Sequence, residues 1–155
     1  MAVSEITTAT NRESKGFLGS RMFAVYGMDA DAGTIPKGAI VTLDATGYAV
    51  NGTDAVNHVF VGIAVETKTA DATGSDGDTE IKVDCTPGVW WKFGHNTGDL
   101  NATCVGTVMH LENNNAVDDG TAATKDVRVG TIAKYIDADE CWVRVDFHDP
   151  IGDSS

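Results

Sequence analysis

Lys37–Val65, KGAIVTLDATGYAVNGTDAVNHVFVGIAV, is the stretch that decides how this chain is read. It holds three β-like runs, Ala39–Leu43, Tyr48–Val50 and His58–Val65, rich in β-branched and aromatic residues and separated by turn formers. Asp44-Ala45-Thr46-Gly47 is a short turn in which Gly47 is free to take positive φ, and Asn51-Gly52 opens the second connection in the same way.

The same unit returns 68 positions later, at VGTVMHLENNNAVDDGTAATKDVRVGTIAK. Gly38 meets Gly106, Leu43 meets Leu111, Asp44 meets Glu112 and Gly52-Thr53 meets Gly120-Thr121. Ala55 then meets Ala123, Val59 meets Val127, and Val61-Gly62 meets Val129-Gly130, with no gap. One more strand follows each copy, Glu80–Asp84 and then Trp142–Asp146, behind a loop six residues shorter in the second copy. Two copies predict duplicated β-meanders rather than a solenoid. Leu43/Leu111, Val59/Val127 and Val61/Val129 then face inward at equivalent places. The alternative is two ordinary β-segments aligned by their shared Gly, Val and Thr.

The chain has 155 residues, enough for one domain with a sizeable core. No helical period is sustained anywhere. Thr53–Asn57 and Asp118–Lys125 have room for one short helical turn each. The fold class is therefore all-β: eight to ten short strands in a small sandwich or barrel with an extended N-terminal arm. The domain plan is an arm and apolar anchor over 1–26, a β domain over 27–147 (copies at about 37–84 and 105–147), and a tail over 148–155.

Residues 1–16 are polar and Thr/Ser-rich and read as an extended or disordered arm. Phe17, Leu18, Met22, Phe23, Val25 and Tyr26 follow at once, either as a first core strand or as an anchor that packs on a partner. Arg12, Lys15 and Arg21 make residues 1–22 net +1, while the whole chain carries −12. That acidity argues against binding nucleic acid through a basic face. The tandem Trp90 and Trp91 point to opposite faces of a strand, one into the core and one toward solvent, a loop or another subunit.

Little in the sequence reads as chemistry. Cys85, Cys104 and Cys141 have no C-x-x-C spacing and suit buried free thiols in a reducing cytosol. No apolar run approaches the ~20 residues of a membrane helix, and the N-terminus lacks a secretory layout. His110-Leu111-Glu112 is at most a two-ligand fragment, and no nucleophile elbow, P-loop or dinucleotide fingerprint is present. The acidic loop Thr69–Glu80 breaks the EF-hand order and is expected to bind no calcium tightly, because its glycines make it costly to order. No catalytic residue, cofactor or metal is expected.

The succession Gly38–Asp44, Val59–Ala64, Ile81–Asp84 and Gly88-Val89 resembles the small β-rich decoration, or cement, proteins encoded beside the major capsid genes of tailed phages. The resemblance covers roughly Ile35–Phe147. It implies a non-catalytic protein that is made in the host cytoplasm. Such a protein binds the outer surface of the phage head through the major capsid protein, often as a trimer, and stabilises the shell. The capsid or subunit contacts expected are Arg12, Lys15, Phe17, Leu18, Arg21, Met22, Phe23, Tyr26, Trp90 and Trp91, with residues 1–26 gaining order only on the capsid or at a subunit interface. A tail or fibre component, or a carbohydrate- or ligand-binding sandwich that stacks sugars on a tryptophan, is the competing reading.

Overall fold

The 68-residue spacing proves to be a duplication of hydrogen-bonded structure. A computed structural model describes residues 3–15, 19–95, 100–120 and 126–146. The strands are β1 (Ser14–Lys15), β2 (Phe23–Gly27), β3 (Thr34–Ile35), β4 (Ile40–Leu43), β5 (Ala49–Asn51), β6 (Val59–Ala64), β7 (Lys68–Thr69), β8 (Glu80–Asp84), β9 (Trp90–His95), β10 (Val108–Leu111), β11 (Ala116–Asp118), β12 (Arg128–Tyr135) and β13 (Glu140–Val145). Phe17, Leu18, Thr121, Ala123 and the 148–155 tail lie outside the described residues. Thr53–Asn57 forms no helix, and most of Asp118–Lys125 lies outside the described residues; among those described a 3-10 turn falls at Ala102–Cys104, capped by the Asn101 side chain.

The strands close into two five-stranded barrels. The first runs β5-β4-β6-β8-β2 and is completed by a parallel bridge, Met28 to Ala49. The second runs β11-β10-β12-β13-β9 and is completed by parallel pairing of Ala116 with Gly94 and Val117 with His95. Register is conserved between them. Ile40↔Ile63, Val41↔Gly62 and Thr42↔Phe60 become Val108↔Thr131, Met109↔Gly130 and His110↔Arg128, with a bulge at the same step. Gly38 N–H donates to Ala64 O as Gly106 N–H does to Ile132 O. Within each copy the third strand lies on the far side of the first, so the unit is a hairpin plus a returning strand rather than an up-and-down meander.

Two alignments read from sequence change. β2 and β9 are equivalent as well, Phe23 with Trp90 through Met28 with His95, so Phe23–Gly27 is a barrel strand and the arm ends before it. The last strand aligns Val83 with Val143, because Val83 pairs with Ala24 and Ala64 where Val143 pairs with Trp91 and Ile132. The sequence match of Asp84 with Asp146 is two residues out. A slip of two leaves every side chain on its own face, so alternation alone cannot detect it.

Strand alternation supplies the cores. In β8, Ile81 and Val83 turn inward while Glu80 and Lys82 face solvent. Leu111, Val127, Val129 and Val61 are buried and Leu43 and Val59 half-buried against the first core, so all six lie where the repeat places them. β6 is buried on both faces. Its Phe60 and Ile63, with Ile40 of β4, leave the first barrel and join the core cluster of the second. Their counterparts on the second barrel, Arg128, Thr131 and Val108, are half-buried. Arg and Thr thus stand at two of the three places that carry the apolar barrel-to-barrel contact on the first barrel.

Candidate functional site

The arm is bound to its own chain, because polar partners do for it what apolar surface would otherwise have to do. Residues 3–15 run along the seam between the barrels. The hairpin Glu112-Asn113-Asn114-Asn115, equivalent to Asp44–Gly47, turns its amides onto the arm. Asn113 Nδ2 donates to Val3 O (2.9 Å), Asn115 Nδ2 to Ser4 O (2.9 Å), and Asn114 exchanges two bonds with the Ile6 backbone at 3.0 Å. Asn114 also donates to Asn51 Oδ1 (2.8 Å) and accepts the Ile40 N–H through its carbonyl, tying arm and both barrels at one residue. Further on, Thr10 N–H donates to Lys37 O, and Lys92 N–H donates to Glu13 O where β1 joins β9.

Arg12 is the arm's cation. Its guanidinium donates to Gly38 O (2.6 Å), Lys92 O (2.7 Å) and Asn115 Oδ1 (2.8 Å), and lies 5.0 Å over the Phe93 ring. Burial pushes its pKa down to about 10, with Glu140 acting the other way, so it is charged at neutral pH. The expectation that residues 3–15 gain order only on a partner is therefore corrected. Arg12 serves the seam.

Close approach of the arm requires Gly38. A Cβ there would strike Thr10 O, whereas one on Gly106, its equivalent, would meet nothing within 4 Å; both have positive φ, 91° and 94°. Gly38→Ala and Gly106→Ala therefore share a backbone strain of ~1–2 kcal/mol. Only the first also displaces the arm, so it is expected to lose at least about 1 kcal/mol more in denaturant unfolding. Equal losses would show that the arm contributes nothing there.

The remaining sequence-predicted residues divide. Arg21 pairs with Asp84 at 2.9 Å and lies 5.6 Å over Trp91. Trp91 points into the second core, and Trp90 points out beneath Lys15, whose Nζ sits 4.3 Å from the Trp142 ring and 5.7 Å from that of Trp90. The two tryptophans thus share no stacking platform. Tyr26 is half-buried against the first core, and its phenol pKa is raised, by burial first and then by Cys85.

Met22, Phe23 and Val25 remain exposed, at 56%, 51% and 55%. They belong to an unfinished edge. Ala24 and Tyr26 make the β2–β8 ladder, since Met22 O and Met28 N–H bond to β8-side groups at the same alternate spacing. The backbone groups of Phe23 and Val25 therefore face away from β8, and among the described residues no hydrogen bond reaches them. The equivalent edge of β9 carries β1. The consequence is visible in burial: Trp91 and Phe93 are 7% and 1% exposed, while their counterparts Ala24 and Tyr26 are half-exposed.

At the far end of that edge stand three carboxylates, Asp29, Asp44 and Asp76. Asp44 is partly desolvated, which opposes ionisation, yet bonds from Thr46, Asp29 and the Tyr48 N–H bring its pKa down to about 2. The bond to Asp44 raises that of Asp29. Within Thr69–Glu80, Asp71 turns toward Thr73 and Asp78 toward Ser75, while Asp76 leaves the loop to accept the Ala30 N–H. Among the described residues no three His, Cys, Asp or Glu side chains converge as metal ligands. The His110 ring lies against Gly120.

Sequence reading missed the Asn113–Asn115 clasp and the open β2 edge. A run of asparagines reads as a turn, and nothing local says that its amides meet residues more than a hundred positions away. No family model, no curated protein and no solved structure matches this chain.

Proposed function

We propose that the chain is a head-decoration protein of a tailed phage, a non-catalytic binding module that docks on the outer surface of the assembled capsid and stabilises it. The observation that carries this reading is the unfinished β2 edge with its exposed Met22, Phe23 and Val25. The two fused barrels make a stiff body, and an exposed apolar edge on such a body suits recognition of another chain. The sequence motifs at Gly38–Asp44 and Val59–Ala64 support the same role. Its partner is then the major capsid protein, its place the virion surface, and its working form an oligomer, with a trimer favoured.

Mixing the purified protein with expanded heads stripped of it, then sedimenting, tests this reading. Saturable binding is expected, with a shell melting temperature raised by several degrees because the ligand prefers the assembled state. Failure to co-sediment with expanded heads, or equal binding to soluble capsid subunits and to unrelated shells, would remove it.

A further inference from the structure

We infer that the open edge of β2 binds an extended, cationic segment of a partner protein as an added antiparallel strand. The decoration role needs only some docking surface; this inference names the segment's chemistry and holds for any protein partner.

The second barrel supplies the precedent. There β1 lies antiparallel on β9, Ser14 opposite Trp91 and Lys15 opposite Trp90, and the N–H and C=O of Lys92 bond to Glu13 and to Arg12. In the first barrel Val25 holds the place of Lys92, and its N–H and C=O have no partner among the described residues. Three of the five exposed large hydrophobics of the described chain, Met22, Phe23 and Val25, flank the gap. An added strand takes its affinity from the main chain and its selectivity from such flanking groups.

Charge selects the occupant. Residues 22–85 carry ten carboxylates against Lys37, Lys68 and Lys82. A strand laid on β2 as β1 lies on β9 would bring the counterpart of Arg12 to the turn Asp44–Gly47, since that turn is equivalent to the one that supplies Asn115. Asp44 is ionised there at neutral pH, with Asp29 beside it. The occupant therefore carries a cation on the N-terminal side of its strand. A second copy of this chain is disfavoured because each copy brings a charge of −12 to a short contact.

The probe is a ten-residue alternating Val/Thr peptide with one arginine near its N-terminus, compared with the same peptide bearing glutamate. The arginine peptide is expected to bind and to slow exchange of the Val25 amide about tenfold or more, with the glutamate peptide weaker by about tenfold. Val25→Pro removes the outward N–H and spares the β8 ladder. Val25→Lys installs the residue the second barrel uses at this place, where Glu13 of the added strand pairs with it; the probe carries no such carboxylate, and an apolar flanking group is lost. Each is expected to weaken binding about tenfold, and Asp44→Asn several-fold for the arginine peptide alone. Unchanged affinity in both Val25 variants, or protection that maps away from β2, overturns the site. Equal binding of the glutamate peptide overturns the cationic partner. A peptide-free dimer with the Val25 amide already protected would assign the edge to a second copy and overturn the proposal as well.

Discussion

Phe60→Arg is expected to cost more than about 4 kcal/mol and to uncouple the two barrels. Phe60 is 6% exposed and lies, with Ile40 and Ile63, in the core cluster of the second barrel. Removing a buried phenylalanine ring costs about 3–5 kcal/mol. A guanidinium at that place would add a desolvated charge. The same side chain is native 68 residues on, as half-buried Arg128. The reciprocal change, Arg128→Phe, should therefore leave monomer stability within about 1 kcal/mol and promote self-association, because it restores the apolar half of a contact able to repeat. Calorimetry and sedimentation check both. If Phe60→Arg unfolds in one transition within about 1 kcal/mol of the parent, the barrels are not coupled through this face.

Asn114→Ala is expected to lower stability by about 3 kcal/mol and to free the arm. Asn114 is 2% exposed, and its side chain makes three hydrogen bonds, two to the Ile6 backbone and one to Asn51. Each buried partner left unpaired costs roughly 1–3 kcal/mol, less where water enters. Its own carbonyl still accepts the Ile40 N–H, so the hairpin keeps its place and the loss reads on the arm. Trypsin should then cut at Arg12 and Lys15 well before the barrels unfold. Arg12→Ala should likewise open Lys15 to trypsin, its own cleavage site being gone, since it removes three bonds from the same strap. A variant as stable and as protease-resistant as the parent would mean that the clasp is incidental.

The barrel strands and the duplication were legible because both are written locally. Alternation in β8 and β9 names the inward residues, and the unbroken spacing from Gly38 to Gly62 recurs from Gly106 to Gly130 with the same register and the same bulge. The equivalence of β2 and β9 was hidden. Phe23-Ala24-Val25-Tyr26 and Trp90-Trp91-Lys92-Phe93 share no residue, with Ala24 standing where Trp91 does, and their likeness lies in the strands they pair with.

For the candidate site the division is sharper. The sequence determined that Phe23–Tyr26 is apolar and β-forming, that one tryptophan of the pair faces in, and that the arm is basic against an acidic body. Each is a property of side chains taken in order. Only the tertiary structure decided that Arg12 belongs to the seam, that Lys15 covers Trp90, and that among the described residues the β9 edge is filled while the β2 edge is open. These depend on hydrogen bonds between groups far apart in the chain, such as Ile6 with Asn114. An edge strand and a central strand can carry the same residues. What separates them is whether another backbone arrives to take their outward N–H and C=O groups, and chain closure alone settles that.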